Sequence, residues 1–146
     1  DNTLLNENYA NFVGQVGALA YMKNKYGENS LIIKKILNYY QDETKSNQWM
    51  AELYDKLNDL YHSKLKNRDK FKHKRKIIQK ALRLYRKIDF INPKFKRRNF
   101  KNLNNASILS FKRYHSDLDR LSKLFIESGY DWVKWRESLK NLKTEY

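Results

Sequence analysis

Apolar residues recur at helical spacing along almost the whole chain. The first stripe has the pattern i, i+3, i+4, i+7, i+11 and consists of Tyr9, Phe12, Val13, Val16 and Ala20. Only four glycines and one proline occur among the 146 residues, so long segments are free of helix breakers. Stripes at this spacing with so few breakers predict long helices packed by their apolar faces.

The helix boundaries in the first half of the chain follow from glycine and serine positions. Gly27 is expected to end the first helix, and Ser30 to cap a second helix that runs to about Gln41. Gly14 and Gly17 lie inside the first helix, which predicts that another helix approaches closely there. Residues 41–47, QDETKSN, are interpreted as a polar connection to a third helix.

The second half of the chain contains one clear loop. Residues 89–105 include Pro93, and the next helix is expected to start near Ser107 and to end at Gly129. Its stripe consists of Phe111, Tyr114, Leu118, Leu121 and Phe125, and Asp131 is expected to cap a last helix whose stripe ends at Leu142. The basic run 64–76 between these halves is either a helix with little apolar surface or a hinge.

These elements predict an all-α fold, a single-domain antiparallel bundle of five or six helices over residues 1–146. No apolar run reaches the length that spans a bilayer, so no transmembrane segment is expected. We expect a cytoplasmic protein. Because the chain begins with Asp1 and not with methionine, a removed leader stays open as an alternative.

The positive charge of the chain is concentrated in residues 64–101. The formal net charge is +15, from 31 Lys and Arg against 16 Asp and Glu. Residues 64–101 hold 17 of these cations and two of the acids, so this segment alone carries +15 and the rest of the chain sums to zero. Such a local excess predicts a surface for a polyanion, with nucleic acid as the commonest partner.

Within the basic segment, cations would contact phosphates and two aromatic rings would stack on bases. The predicted cation contacts are Lys70, Lys74, Arg75, Lys94, Lys96, Arg97, Arg98 and Lys101. Phe95 and Phe100 are the candidates for stacking, with anchoring in the core as the alternative for both. The two parts, 64–76 and 94–101, are expected to form two walls of one surface.

Catalytic patterns are few. There is no cysteine, no H-E-x-x-H pattern, no glycine-rich phosphate loop and no metal-ligand spacing among His62, His73 and His115, so we expect no metal and no cofactor. However, residues 68–73, RDKFKH, resemble the R-φ-x-x-x-H signature of HEPN ribonucleases. This resemblance implies metal-independent RNA cleavage by Arg68 and His73, with Asp69 as the accompanying polar residue.

A second resemblance lies near the start of the chain. Residues 11–28, NFVGQVGALAYMKNKYGE, resemble an early helix of the small all-helical subunits of CRISPR effector complexes. It implies a basic, non-enzymatic subunit that contacts a nucleic-acid backbone in antiviral defence. The composition also resembles basic helical domains that parasites export into host cells, which implies an adaptor for an acidic protein.

The sequence therefore predicts a non-catalytic protein that binds RNA or single-stranded DNA through the backbone. We expect it to have protein partners in a larger ribonucleoprotein or DNA-processing assembly. The alternatives are the ribonuclease that uses Arg68 and His73, and the adaptor for an acidic protein partner.

Overall fold

The computed structural model describes residues 3–115 and 118–142, which form seven helices and contain no strand. The helices are α1 Thr3–Tyr26, α2 Leu31–His62, α3 Asn67–Tyr85, α4 Pro93–Lys96, α5 Asn105–His115, α6 Leu118–Glu127 and α7 Trp132–Leu142. The all-α prediction is confirmed. The expected number of helices was too low, because the 89–105 loop contains α4 and because α5 and α6 were predicted as one helix. The side chains of Tyr114 and Leu142 lie outside the described part of the structure.

The turn between α1 and α2 forms as its sequence predicts. Gly27 has a φ of +80°, in the left-handed region that glycine tolerates, and its N–H donates to the carbonyl of Lys23 at 2.8 Å. Ser30 then caps α2, since its Oγ accepts a hydrogen bond from the N–H of Ile33 at 3.3 Å. These two residues reverse the chain, so that α1 and α2 run antiparallel.

Gly14 and Gly17 do not mark a close contact between helices, contrary to our prediction. Both residues are exposed on α1, and no heavy atom of the described residues lies within 4 Å of where a Cβ would stand on either one. The apolar face of α1 turns away from them. Its buried residue, Phe12, packs against α6 and α7.

The predicted connection at residues 41–47 is wrong, because α2 continues through it for 32 residues in all. Asp42 and Ser46 are buried and occupy core-facing positions of the helix. The two carboxylate oxygens of Asp42 accept hydrogen bonds from the backbone N–H groups of Ile91 at 3.0 Å and Asn92 at 2.6 Å. This polar segment is therefore helical, and its polar side chains hold the loop that follows α3.

The larger of two apolar clusters forms between α2, α3, α5 and the loop that includes α4. Trp49 lies at its centre, and its indole N–H donates to the carbonyl of Ala81 at 2.8 Å. Near the end of α2, the ammonium of Lys70 donates to the carbonyl of Tyr61, so α2 and α3 run antiparallel. The buried members are Trp49, Met50, Leu53, Leu57, Leu60, Ala81, Tyr85, Phe90, Phe95 and Ile108.

The smaller cluster joins α1 to α6 and α7. Trp135 is fully buried there and donates its indole N–H to the carbonyl of Leu121 at 3.1 Å. The other buried members are Phe12, Leu121, Phe125 and Leu139. Because α1 contacts α2, α5 and α6, it links the two clusters, and an open space lined by these four helices lies between them.

The start of α7 has the cap that the sequence predicts. Gly129 has a φ of +68° and follows the end of α6, and the Oδ1 of Asp131 accepts hydrogen bonds from Val133 at 2.8 Å and Lys134 at 3.1 Å. None of the helices among the described residues is both long enough and apolar enough to cross a bilayer.

Candidate functional site

The basic segment consists of the turn before α3, α3 itself and the loop with α4. Arg75 on α3 is exposed, as are Lys94, Lys96, Arg97, Arg98 and Lys101 in the loop, whereas Lys70 and Lys74 are half-buried. In the part of the chain that the structure describes, no Lys or Arg between residues 64 and 101 lies within 4.0 Å of a carboxylate oxygen. Among the described side chains, these cations therefore form no ion pair with an acid.

The two parts of the basic segment do not face each other as walls of one surface. The 64–76 run begins α3, whereas the 94–101 loop packs at the far end of this helix, where the ring centroids of Tyr85 and Phe100 are 4.7 Å apart. Arg68 and Tyr85 are separated by about 25 Å along the helix at 1.5 Å per residue. The basic surface is an elongated strip and not a clamp.

Phe95 packs in the core and is not available to a base. The ring is buried, 5.5 Å from the ring of Phe90 and stacked on it. Phe100 is partly buried against the same cluster, with its ring 5.1 Å from that of Trp49. Our stacking prediction is wrong for Phe95, and Phe100 presents only part of its ring to solvent. The loop is aromatic because it anchors itself to α2 and α3.

Arg98 has a structural contact on each side. Its guanidinium donates to the Oγ of Ser46 at 3.2 Å and lies 5.7 Å from the centre of the Phe100 ring. This arginine therefore helps to fix the loop on α2, in addition to any contact it makes with a polyanion.

Arg68 and His73 lie on α3 but do not come together within one chain. Five residues of helix separate them, which is about 140° around the axis, and both side chains are exposed. The Nδ1–H of His73 donates to the carbonyl of Asp69 at 2.8 Å, a contact within its own helix. The ribonuclease assignment stays a prediction.

A partly enclosed cleft of about 460 Å³ lies between α1, α2, α5 and α6. One face of α2 forms its floor, with residues spaced three or four apart. Apolar side chains from the other helices form much of its walls, including Phe12 and Val16 of α1, Phe111 of α5 and Leu118 of α6. A cleft of this size, apolar with a few polar groups, is typical of ligand sites.

Glu43 is the acidic group at one end of this cleft. The Nε2 of Gln15 donates to its Oε2 at 3.2 Å. Burial raises the pKa of the Glu43 carboxyl, and the positive electrostatic influence of His115 and Arg98 offsets part of that rise. Glu43 is thus a partly desolvated carboxylate beside apolar walls.

Tyr40 connects α2 to α1 beside Glu43. Its hydroxyl donates to the backbone carbonyl of Gln15 at 3.4 Å, so Gln15 contacts α2 through both its main chain and its side chain. Burial, followed by the negative charge of Glu43, raises the pKa of the Tyr40 hydroxyl. Tyr40 therefore acts here as a neutral hydrogen-bond donor.

Lys112 is the basic group at the other end. Its Nζ lies 4.2 Å from the centre of the Tyr54 ring, a close cation–π contact. No carboxylate oxygen of a described residue lies within 4.0 Å of this ammonium. The cleft thus carries Glu43 at one end and Lys112 at the other, where the exposed carboxylate of Asp55 also lines it.

Glu43 was not predicted from the sequence, because we interpreted its segment as a connection. A signal was present: Asp42 and Ser46 continue the spacing of Trp49, Leu53 and Leu57 and therefore indicate an uninterrupted helix. His115, a lone histidine for which the sequence predicts a structural role, also lines the cleft. Among the side chains that the structure describes, no three His or acidic residues are grouped closely enough to hold a metal ion.

Comparison with known proteins gives one family. No curated protein and no solved structure is significantly similar to this chain. A family whose description is "Putative aminopeptidase" matches residues 1–145, which is nearly the whole chain. The chain belongs to this family.

Proposed function

We propose that this chain binds the amino-terminal end of a peptide in the cleft, as the substrate-binding part of a peptidase. The family description supports a function at peptide amino termini. The observation that carries the proposal is Glu43, a partly buried carboxylate with a single hydrogen-bond donor, Gln15, among the described residues. The proposal assigns no hydrolytic group to the residues described above.

An α-ammonium group is the natural partner of such a carboxylate. A hydrogen bond between two charged groups is shorter and about twice as strong as a neutral one, and partial desolvation strengthens it further. The ammonium would also compensate the burial of Glu43, which now lacks a cation close enough for an ion pair in the described residues. The apolar walls around Phe12 and Val16 would take the first side chain of the peptide.

A peptidase assay on the natural protein that carries this chain tests the proposal. We expect hydrolysis of leucine p-nitroanilide but not of its N-acetyl derivative. Glu43→Gln should raise KM about tenfold and change kcat much less, because it removes a binding contact and no reacting group. Equal hydrolysis of the acetylated and free substrates would contradict the proposal. Glu52→Gln, an exposed acid on α2, is the matched control.

The basic strip supports a second candidate function, backbone-directed binding of RNA or single-stranded DNA. Its support is the run of exposed, unneutralised cations along α3 and the 94–101 loop. A place in a ribonucleoprotein or DNA-processing assembly, such as a CRISPR effector, belongs to this candidate. Because Phe95 is buried and Phe100 is partly buried, this binding would depend mainly on phosphate contacts.

Salt dependence tests this second candidate. We expect nucleic-acid affinity to fall steeply with salt, and the slope of log affinity against log salt to fall by about one for each cation removed. The double variant Arg75→Gln/Arg97→Gln should reduce this slope by about two, whereas Lys123→Gln on α6 should leave the slope unchanged. Binding that is independent of salt would contradict this candidate.

The ribonuclease and the adaptor for an acidic protein each have an experiment of their own. RNA cleavage that disappears in His73→Ala would favour the ribonuclease. An acidic protein partner that survives nuclease treatment in a pull-down would favour the adaptor.

A further inference from the structure

The cleft follows one face of α2 for about four helical turns. The residues of α2 that line it are Tyr40, Glu43, Thr44, Asn47, Gln48, Ala51, Tyr54 and Asp55. At 1.5 Å per residue, this stripe is about 22 Å long. A volume of about 460 Å³ spread along that length is narrow. The shape fits an extended chain better than a compact ligand.

Glu43 lies near one end of this narrow cleft, and Lys112 lies near the other end, which the exposed Asp55 also lines. Glu43 and Tyr54 are eleven residues apart on α2, which is about 16 Å along the helix axis. Lys112 lies on the ring of Tyr54, so its ammonium marks the far end. A ligand that satisfies both groups must carry a cation and an anion separated by about 16 Å.

The floor between these ends offers unused hydrogen-bonding groups. The side-chain amides of Asn47 and Gln48 make no hydrogen bond with any other described residue, and both line the cleft. A peptide backbone presents one donor and one acceptor per residue, and amide side chains can pair with both. These amides therefore suit an extended backbone that lies on α2.

We infer that the cleft selects short peptides of about five residues, with the free amino terminus at Glu43 and the free carboxylate at Lys112. The length follows because an extended chain covers about 3.3–3.6 Å per residue. This inference rests on the proposed function, and it adds the substrate length and the group that recognises the other end.

Calorimetric titration with unlabelled peptides of the form Leu-(Ala)n, two to eight residues long, tests the inference. We expect the highest affinity at five residues, about tenfold above the dipeptide. Amidation of the carboxyl terminus should weaken the five-residue peptide about threefold to tenfold, because it removes the charge that Lys112 recognises. The same amidation should have little effect on the dipeptide, whose carboxyl group cannot reach.

Variants of Lys112 test whether its ammonium group causes the effect of amidation on affinity. In Lys112→Met the effect of amidation should disappear, whereas Lys112→Arg should retain it and so control for loss of folding. Lys123→Met, the matched variant of an exposed lysine on α6, should retain the effect too.

The outcomes separate this inference from the proposed function. If affinity does not depend on length or on amidation while N-acetylation still abolishes binding, the inference is wrong and the proposed function stands. An effect of amidation that persists in Lys112→Met also overturns the inference. If no peptide binds, both are wrong.

Discussion

Glu43 destabilises the fold by the same property that suits it to bind an ammonium group. Its pKa is raised in the folded protein by burial, so the folded state holds the proton more tightly than the unfolded state. Stability must therefore fall as pH rises from the unfolded pKa, about 4.3, through the raised folded pKa. Above that window the full penalty of the charged carboxylate is present.

At neutral pH, Glu43→Gln is expected to stabilise the protein. Because the side chain is only partly buried and solvent screens its charge, the gain should stay below about 1 kcal/mol. Urea unfolding between pH 4 and pH 8 measures it. Relative to Glu43→Gln, the wild type should lose stability as pH rises through the window. A wild type that gains stability there would show that Glu43 already has a favourable partner.

At the scale of the element, α2 depends on polar residues at core positions. Asp42→Ala is expected to destabilise the protein by about 2–4 kcal/mol, because the N–H groups of Ile91 and Asn92 lose their acceptor. Urea unfolding measures the loss, and Glu52→Ala on the exposed face is the control. If Asp42→Ala costs no more than Glu52→Ala, the carboxylate does not hold the loop.

The cap of α7 gives a pH dependence of opposite sign. Hydrogen bonds from the backbone N–H groups of Lys134 and Val133 lower the pKa of the Asp131 carboxyl. Its contribution is therefore complete above the unfolded pKa, about 4, and is lost as pH falls below it. Thermal unfolding should show the wild type losing its advantage over Asp131→Asn between pH 5 and pH 2. A constant difference in Tm would contradict this account.

The same elements show what the sequence can predict. Gly27, Ser30 and Asp131 act within a few residues of their own position, so their roles as helix ends were predictable. Asp42 acts across 49 residues of sequence on Ile91, and no local pattern reveals such a partner. The spacing of Asp42 and Ser46 with Trp49 does indicate a continuous α2, but the burial of these two polar side chains was not predictable, and the floor of the cleft was missed.

At the scale of the whole molecule, the position of the positive charge in the sequence was predictable, but the shape of the basic surface was not. Counting residues places the excess between 64 and 101. Only the fold shows that the segment extends along α3 and that Phe95 turns into the core. The cleft depends on four helices meeting, with Glu43 from one and Lys112 from another, and spacing within a single helix cannot predict such a meeting.

If Glu43 recognises a free peptide amino terminus, acetylation of that terminus must weaken binding. The most direct measurement is the calorimetric affinity of one five-residue peptide, with its amino terminus free or acetylated, for wild type and Glu43→Gln at pH 7. We expect acetylation to weaken wild-type binding at least tenfold, and the variant to bind both forms equally weakly. Equal binding of both peptides by the wild type would contradict the claim.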